Sequence, residues 1–501
     1  MTSIDTTLEA ALTAHGEDRA DVALDLYGWA LGVRPDYLHP SNRPGDASFD
    51  RPKKFASIDL LESVVDRLRF SDGPEVAAET LGLLGGFHQL AGDASAAVDA
   101  CRDALKTAPI TPDVALSLGL AYLDLNEFDE AVAILSDAVG KFPVNLGLLN
   151  HLGGAQRDAS KFGDAIESFR KAGGPGFPIA LANLGAMLRE AHRYDDAIEV
   201  FQQLLAQDPA FPKAACNLCM AYMAIGKDDD AVAAGRRAVE DVAAPDFDDY
   251  NCFGSALLAN DACAAALDAF ETSLSLNPRG VTALAMINGA LAGVGRDDEV
   301  RRLLDFGRFM MPLSVRAPAE YDDLSAFNNA IYEHAVNFPD QPGNERQTVN
   351  LVEDPQGPMI VLEKIINEAV ARYIAQLPDD TSHPYAAYKP ERWDLFVWAT
   401  RAKTFEYQFP HIHPHGWVSG IYYPRVPAFT ALRGEEVEFP GHVEFYRFLQ
   451  FSQRPVVSES VRIPAEEGLM VLFPSYFHHG INPFQSETNR MSIAFNAMPR
   501  D

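Results

Sequence analysis

The chain has 501 residues, 47% of them apolar and 22% charged, so we expect a globular protein with more than one hydrophobic core. Its formal net charge of −30 argues against nucleic-acid binding and against docking on an anionic membrane, because both need clustered lysine and arginine. Long apolar runs and a secretory signal pattern are both missing, so we expect a cytoplasmic protein without a membrane partner.

Small residues recur along the first three hundred residues at a nearly constant interval. They are Gly85, Gly119, Gly153, Gly185, Cys219 and Gly254. Alanine follows each of them twelve residues later, at Ala97, Ala131, Ala165, Ala197, Ala231 and Ala266. A bulkier residue follows after sixteen, at Cys101, Leu135, Phe169, Phe201 and Phe270, with Gly235 as the exception. These offsets indicate pairs of antiparallel helices that cross where one side chain is small.

This pattern resembles the tetratricopeptide repeat, and residues 118–143, "LGLAYLDLNEFDEAVAILSDAVGKFP", are its clearest copy. A weaker copy at the N-terminus keeps the offsets with Ala11, Ala23 and Tyr27, and the Pro-rich residues 36–55 interrupt the period. The resemblance implies an all-α solenoid over residues 1–310, whose concave surface would bind a peptide or a protein. A purely structural or homo-oligomeric role is the alternative.

Five cysteines, an odd number in a long chain, fit a reducing compartment. Cys216 and Cys219 form a CxxC pair, which is compatible with redox chemistry or with half a zinc site. No second CxxC follows, and the pair lies in an Ala-rich helical pattern. We therefore interpret it as a packing feature.

The repeat period ends near residue 310, which predicts a second domain over residues 311–501. Residues 326–375 show helical spacing of apolar residues. Short β-rich segments separated by Gly, Pro and charged turns follow: "WDLFVWATRA", "VSGIYYPRVP", "HVEFYRFLQF", "GLMVLFPS" and "RMSIAFNAMP". The sequence therefore predicts an α+β multidomain protein that ends in a β-sandwich or barrel.

Six of the 13 histidines lie in the last 91 residues. His411, His413 and His415 alternate, so an extended backbone would direct all three to one face. A second cluster, His478–His479, follows a β-rich segment, and Arg490 comes eleven residues after it. Imidazoles from two strands with a nearby arginine suit an open metal site and an anionic co-substrate. An ordinary surface cluster of histidines is the alternative.

The stretches "PHIHPHGWVSGIYYPRVP", "GLMVLFPSYFHHGINPF" and "NRMSIAFN" resemble the Fe(II)/2-oxoglutarate-dependent oxygenases. The subgroup they resemble is related to prolyl hydroxylases and is often fused to tetratricopeptide repeats. The resemblance implies a double-stranded β-helix, or jelly roll, with flanking helices. It also implies Fe(II), 2-oxoglutarate and O2 as cofactors and co-substrates, and the release of succinate and carbon dioxide.

Transferred to this sequence, the family motifs assign the metal ligands and the co-substrate site. The implied metal ligands are His411, His413 and His479. Arg490, also implied to be catalytic, would bind the far carboxylate of 2-oxoglutarate together with Ser492 and Tyr423. An imidazole, His413, stands where the broader family has an aspartate, so a metal there would keep more positive charge.

Several alternatives to this assignment remain open at the level of sequence. We interpret His415, which precedes the flexible Gly416, as a neighbour of the site, although it or His478 would replace a ligand if the register differed. His413 would lie outside the coordination sphere if only two histidines bind. We interpret His442 as a surface residue and Trp417 as core or pocket wall.

The function implied is hydroxylation of a C–H bond in a protein or peptide that the repeats recruit. One alternative is a non-catalytic tetratricopeptide scaffold or sensor with a metal-binding β-domain. Another is a cupin-like enzyme that uses a different metal without 2-oxoglutarate.

Overall fold

The computed structural model describes most of the chain beyond residue 80. The described residues are 81–86, 88–89, 92–174, 176–341, 344–402, 408–428, 441–446, 459–484, 486 and 489–500. The predicted N-terminal repeat copy and the Pro-rich residues 36–55 lie outside them. The chain divides into two compact units, Met1–Gln207 and Asp208–Asp501. The second unit contains both the last repeat helices and the β-rich segments, and the boundary near residue 310 stays a prediction.

Paired short helices make up the repeat region, as predicted. In the first unit they are α1 (Ala94–Thr107), α2 (Pro112–Asp124), α3 (Phe128–Lys141), α4 (Leu146–Asp158), α5 (Phe162–Ala172), α6 (Pro178–Glu190) and α7 (Tyr194–Gln207). In the second unit they are α8 (Ala214–Ala224), α9 (Asp228–Glu240), α10 (Phe247–Ala259), α11 (Cys263–Leu276), α12 (Val281–Gly293), α13 (Asp297–Leu303) and α14 (Phe306–Phe309). The tight turns within pairs pass through a left-handed residue, as at Asn126 with φ 60°.

The recurring glycines lie where the two helices of one repeat cross. A β-carbon on Gly153 of α4 would lie 2.8 Å from the ring of Phe169 of α5, and one on Gly185 would lie 2.6 Å from Phe201. The residue sixteen positions on therefore packs against the glycine of its own repeat. Where Cys219 replaces the glycine, Gly235 replaces the bulky partner, and a β-carbon there would lie 3.4 Å from the Cys219 sulfur. The exceptional repeat thus exchanges the large and the small residue across the same crossing.

The crossing predicts opposite effects for two alanine substitutions in one repeat. We expect Gly153→Ala to destabilise the chain by about 1–3 kcal/mol, because Phe169 is fully packed and would have to move. Gly163→Ala in α5 should stabilise it by about 0.5–1 kcal/mol, because nothing lies within 4 Å of the added carbon. Urea unfolding followed by circular dichroism measures both changes. A similar shift for both variants would mean that the crossing is not tightly packed.

Cys216 and Cys219 are buried in α8 and hold a packing position. The thiol of Cys252 in α10 donates to the carbonyl of Cys216 at 3.3 Å, and all three cysteines are free. The arrangement agrees with the interpretation of the CxxC pair as a packing feature.

Two antiparallel sheets form the C-terminal part. The strands are β1 (Met311–Ser314), β2 (Asp340–Gln341), β3 (Asn344–Thr348), β4 (Trp393–Ala402), β5 (Gln408–His411), β6 (Val418–Arg425), β7 (Val443–Tyr446), β8 (Ser460–Ile463), β9 (Leu469–Pro474), β10 (His479–Ile481) and β11 (Arg490–Pro499). The larger sheet has the order β1-β9-β6-β11-β4-β3-β2, and the smaller one β5-β10-β7-β8. The predicted double-stranded β-helix is therefore present.

Two helices flank the larger sheet, α15 (Leu324–Val336) and α16 (Pro358–Gln376). The prediction that residues 326–375 are helical throughout is wrong in its middle, where β2 and β3 intervene and β3 extends the larger sheet. Pro339 and Pro355 flank this interruption, and proline disfavours a continuous helix.

Aromatic side chains fill the space between the two sheets. Phe445 of β7 packs edge-on against Phe473 of β9, with ring centroids 4.8 Å apart. On the opposite face of the larger sheet, Tyr422 donates to Asn328 of α15 at 2.5 Å. Because side chains alternate along a strand, the neighbouring Tyr423 points away from the helix, toward the inside of the barrel. Among the described residues, the helices are all too short or too polar to cross a bilayer.

Candidate metal centre and co-substrate site

His411 and His479 face each other across the smaller sheet. They are register partners in the antiparallel pair of β5 and β10, which puts both side chains on one face, with ring centroids 4.5 Å apart. His479 Nδ1 lies 3.0 Å from the carbonyl of Phe477, and His411 Nδ1 lies 2.9 Å from the carbonyl of Phe409. A carbonyl only accepts, so each Nδ1 carries the proton and each Nε2 keeps a free lone pair.

His413 completes a cluster of three imidazoles. Its Nε2 lies 3.2 Å from Nε2 of His479, and the ligand atoms of His411, His413 and His479 all lie within 4.8 Å of one another. Two nitrogen ligands each about 2.1 Å from a metal ion lie roughly 3.0–3.4 Å apart, so the measured spacing fits a shared ion. The three histidines would therefore be able to hold one metal ion together.

Electrostatics keeps these imidazoles neutral, as metal ligands must be. Burial lowers the pKa of His411, and burial with the nearby imidazoles lowers the pKa of His413 to about 3. The pKa of His479 falls well below its ordinary value for the same reasons. Protons therefore do not compete with a metal at neutral pH.

His415 does not join the cluster. The extended backbone ends at His411, and a turn closed by the amide of Gly416 on the carbonyl of His413 at 3.1 Å leaves His415 exposed. Alternation would place all three histidines on one face only on an extended backbone, and His415 lies beyond the end of the strand. Pro414 and Gly416 favour this turn over a longer strand.

The other histidines and Trp417 also lie apart from the cluster. His478 is buried beside His479 but is not among the three clustered ligands, and burial lowers its pKa to about 4. His442 is half-buried at the start of β7. Trp417 is a core residue, stacked on Tyr385 with ring centroids 4.3 Å apart.

Arg490 is a buried cation at the start of β11. Its side chain is 1% exposed, and none of its three guanidinium nitrogens has a hydrogen-bond partner among the described residues. Tyr423 of β6 lies against it, with the guanidinium carbon 5.0 Å from the ring centroid, and the Tyr423 hydroxyl is also buried without a partner there. Burial raises the pKa of Tyr423, although the nearby guanidinium opposes this, so the hydroxyl keeps its proton.

A bound anion would stabilise these buried donors, which have no partner among the described residues. Leaving a guanidinium buried without a partner costs several kcal/mol, and a carboxylate can accept two parallel hydrogen bonds from it. The Tyr423 hydroxyl adds a third donor. Ser492, also buried, lies two residues after Arg490, at the irregularity in the pairing of β11 with β6. These residues fit the far carboxylate of a dicarboxylic acid.

A cavity of about 170 Å³ is lined by residues of β3, β4, β5 and β10. Its lining includes Gln408 of β5 and Ile481 of β10, the strands that carry His411 and His479. It also includes Thr400 and Ala402 of β4, the register partners of Ser492 and Arg490. Asn344, Arg346 and Gln347 of β3 are also part of the lining, and the clustered histidines, Arg490, Tyr423 and Ser492 are not.

Sequence reasoning missed the aromatic residues around the metal cluster. The Trp398 ring on β4 lies 5.5 Å from that of His413, and Phe473 and Phe445 lie 4.7 and 5.7 Å from that of His479. Side chains alternate along "WDLFVWATRA", so Trp398 belongs to one of two sets of residues, one on each face of the strand. Which set points into the barrel depends on the strands that pair with β4.

Family models agree with this division of the chain. Residues 396–496 match a family described as "Putative 2OG-Fe(II) oxygenase", which covers the three clustered histidines, Tyr423, Arg490 and Ser492. Residues 116–176 and 188–247 each match a tetratricopeptide repeat family. No curated protein matches the chain.

Several solved structures are similar to parts of the chain. A tetratricopeptide repeat protein from Parabacteroides merdae is 14% identical, with a TM-score of 0.36, over 53% of this chain and 98% of its own. PilF from Pseudomonas aeruginosa is 17% identical, with a TM-score of 0.37, over 42% and 97%. MamA is 25% identical, with a TM-score of 0.30, over 31% and 92%.

Those scores are too low to support a conclusion, so the assignment depends on the family models and on the packing described above. The helix crossings repeat at the tetratricopeptide spacing, and the two sheets bring together the residues of the oxygenase motifs. The chain therefore joins tetratricopeptide repeats to a C-terminal region, residues 396–496, that is similar to a family of putative Fe(II)/2-oxoglutarate oxygenases.

Proposed function

We propose that the protein is an Fe(II)- and 2-oxoglutarate-dependent oxygenase that hydroxylates a C–H bond of a protein or peptide. The observation that carries the proposal is the buried guanidinium of Arg490, which has no hydrogen-bond partner within the described ranges and lies in the barrel that also holds the histidine cluster. A scaffold or a sensor that binds only a metal has no use for this costly group. A cupin-like enzyme that does not bind 2-oxoglutarate would not need this buried guanidinium either.

In this proposal His411, His413 and His479 hold Fe(II) through their Nε2 atoms. Bound iron with 2-oxoglutarate supplies the oxygen-activating chemistry, which forms succinate and carbon dioxide. The chain itself contributes positioning: Arg490 binds the far carboxylate by two hydrogen bonds, and Tyr423 donates a third from its protonated hydroxyl. Phe445 and Phe473 give the cluster apolar neighbours that exclude water.

The repeats are proposed to recruit the substrate. Tetratricopeptide repeats generally mediate protein–protein interaction, and the first unit has a groove of about 650 Å³ beside α3, α4 and α5. Its lining includes the apolar residues Val144, Leu146 and Leu149, and Glu167 and Lys171, which pair with each other at 2.7 Å. Such a lining suits a peptide with apolar side chains.

The test is turnover of 2-oxoglutarate by the full chain without added substrate. We expect Fe(II)-dependent release of succinate at a slow rate, stopped by removing iron with a chelator. Metal binding without 2-oxoglutarate binding would favour the scaffold or sensor. Oxygen consumption that does not depend on 2-oxoglutarate would favour the cupin-like alternative.

A further inference from the structure

One turn, here called the metal-site turn (residues 474–478), supports two of the three clustered histidines. It joins β9 to β10 and is closed by the amide of Phe477 on the carbonyl of Pro474 at 2.9 Å. The carbonyl of Phe477 accepts from Nδ1 of His479, and the carbonyl of Ser475 accepts from the backbone amide of His413 at 3.1 Å. Displacement of this turn would therefore move His413 and His479 relative to His411.

The side chains of the metal-site turn are held by the end of the repeat array. The hydroxyl of Tyr476 donates to the carbonyl of Leu303 in α13 at 2.7 Å, and Tyr476 is fully buried. The ring of Phe306 in α14 packs edge-on against Phe477, with centroids 5.2 Å apart. Phe306 also lies 6.4 Å from Phe445, which stacks on His479. The Phe306 ring thus packs against both Phe445 and Phe477, and each of these residues contacts His479.

Helices α13 and α14 are themselves fixed by separate contacts. The hydroxyl of Tyr373 in α16 donates to the carbonyl of Phe309 at 2.9 Å. The Phe309 ring packs on His383, with centroids 4.6 Å apart, and Arg302 pairs with Asp380 at 3.1 Å. A firmly held support can fix a ligand-bearing turn, whereas a loose one cannot.

We infer that α13 and α14 form a positioning element of the metal centre, acting through Leu303 and Phe306 on the metal-site turn. The inference depends on the proposed function, because it assumes that the histidine cluster binds a metal. By sequence these helices belong to the repeat array, so the array contributes to the site itself as well as to recruitment. A protein cut at residue 310 would lack both contacts.

The experiment compares matched pairs of variants in the full-length protein. Tyr476→Phe and Tyr373→Phe each remove one buried hydroxyl that donates to a carbonyl of this segment, but only Tyr476 lies in the turn. Phe306→Leu and Phe309→Leu each trim one buried ring of α14, but only Phe306 contacts the turn. Calorimetry with Co(II) as an air-stable probe measures metal affinity, and the melting temperature of the metal-free protein measures stability.

We expect Tyr476→Phe and Phe306→Leu to weaken Co(II) binding roughly tenfold, the range typical of outer partners of metal ligands. Tyr373→Phe and Phe309→Leu loosen α13 and α14 without removing a contact with the turn, so they should weaken Co(II) binding clearly less than their partners, even where their melting temperatures fall equally. Equal losses in affinity within each pair, or no loss in either, would overturn the inference. If the wild type itself binds no Co(II), the proposed function fails, and the positioning role fails with it.

Discussion

Arg490→Leu is expected to leave the metal site intact and to remove most of the affinity for 2-oxoglutarate. The guanidinium is buried, and its hydrogen-bonding groups have no partner among the described residues, so the co-substrate carboxylate would be its counter-ion. Losing a buried bidentate pair costs about 3–5 kcal/mol, or roughly two to four orders of magnitude in affinity. Lysine should restore only part of this, because it offers a point charge in place of two parallel donors.

The melting temperature of Arg490→Leu should not fall, although its affinity for 2-oxoglutarate does. Without co-substrate, leucine removes an unpaired buried charge, so the melting temperature should stay equal or rise. With 2-oxoglutarate at a hundred times its dissociation constant, the wild type should gain about 2.7 kcal/mol, and the variant almost nothing. Tyr423→Phe is the control with a smaller expected effect. It removes one hydrogen bond to the carboxylate and should lower the affinity for 2-oxoglutarate about tenfold.

Calorimetry on the iron-loaded protein without oxygen measures these affinities. Arg490→Leu that binds 2-oxoglutarate as tightly as the wild type would falsify the assignment of the carboxylate site. The scaffold or sensor alternative would then gain support, provided that iron still binds.

His411→Ala and His479→Ala should each reduce iron affinity by more than about a hundredfold. Losing a residue that only hydrogen-bonds a metal ligand costs up to about a hundredfold, and losing the ligand itself should cost more. Each removes one of three ligand nitrogens from a cluster whose atoms lie within 4.8 Å of one another. His415→Ala is the matched control, because His415 is exposed four residues from His411 and lies outside the cluster. Iron content after dialysis against a weak chelator is the measurement.

His413 allows a sharper test, since a carboxylate can take the place of its imidazole. We expect His413→Asp to keep iron affinity within about tenfold of the wild type, because carboxylate and imidazole both serve in facial iron sites. His413→Ala should lose far more. Normal iron binding by His413→Ala would show that only two histidines bind, and loss in His415→Ala would show that the register is shifted by one pair.

Local sequence patterns were sufficient to predict most of the architecture. The β-rich segments "WDLFVWATRA" and "RMSIAFNAMP" predict β4 and β11 at the bounds that the structure has, Trp393–Ala402 and Arg490–Pro499. The glycine period predicts the helix crossings, because a close approach of two helices requires a small residue at a fixed position. Spacing and family resemblance together pointed to His411, His413 and His479, which the structure brings into one cluster.

Tertiary structure decided what depends on contacts between distant segments. Pro414 and Gly416 favour a turn around His415, but sequence could not exclude His415 as a ligand, because only the pairing of β5 with β10 shows that the strand ends at His411. The isolation of the Arg490 guanidinium becomes visible only when its surroundings are known. Phe306 carries no sequence signal either, since its contact with Phe477 joins the repeat array to a turn more than 160 residues later. Side-chain type and spacing determine local structure, whereas burial and long-range packing determine which of those side chains form the site.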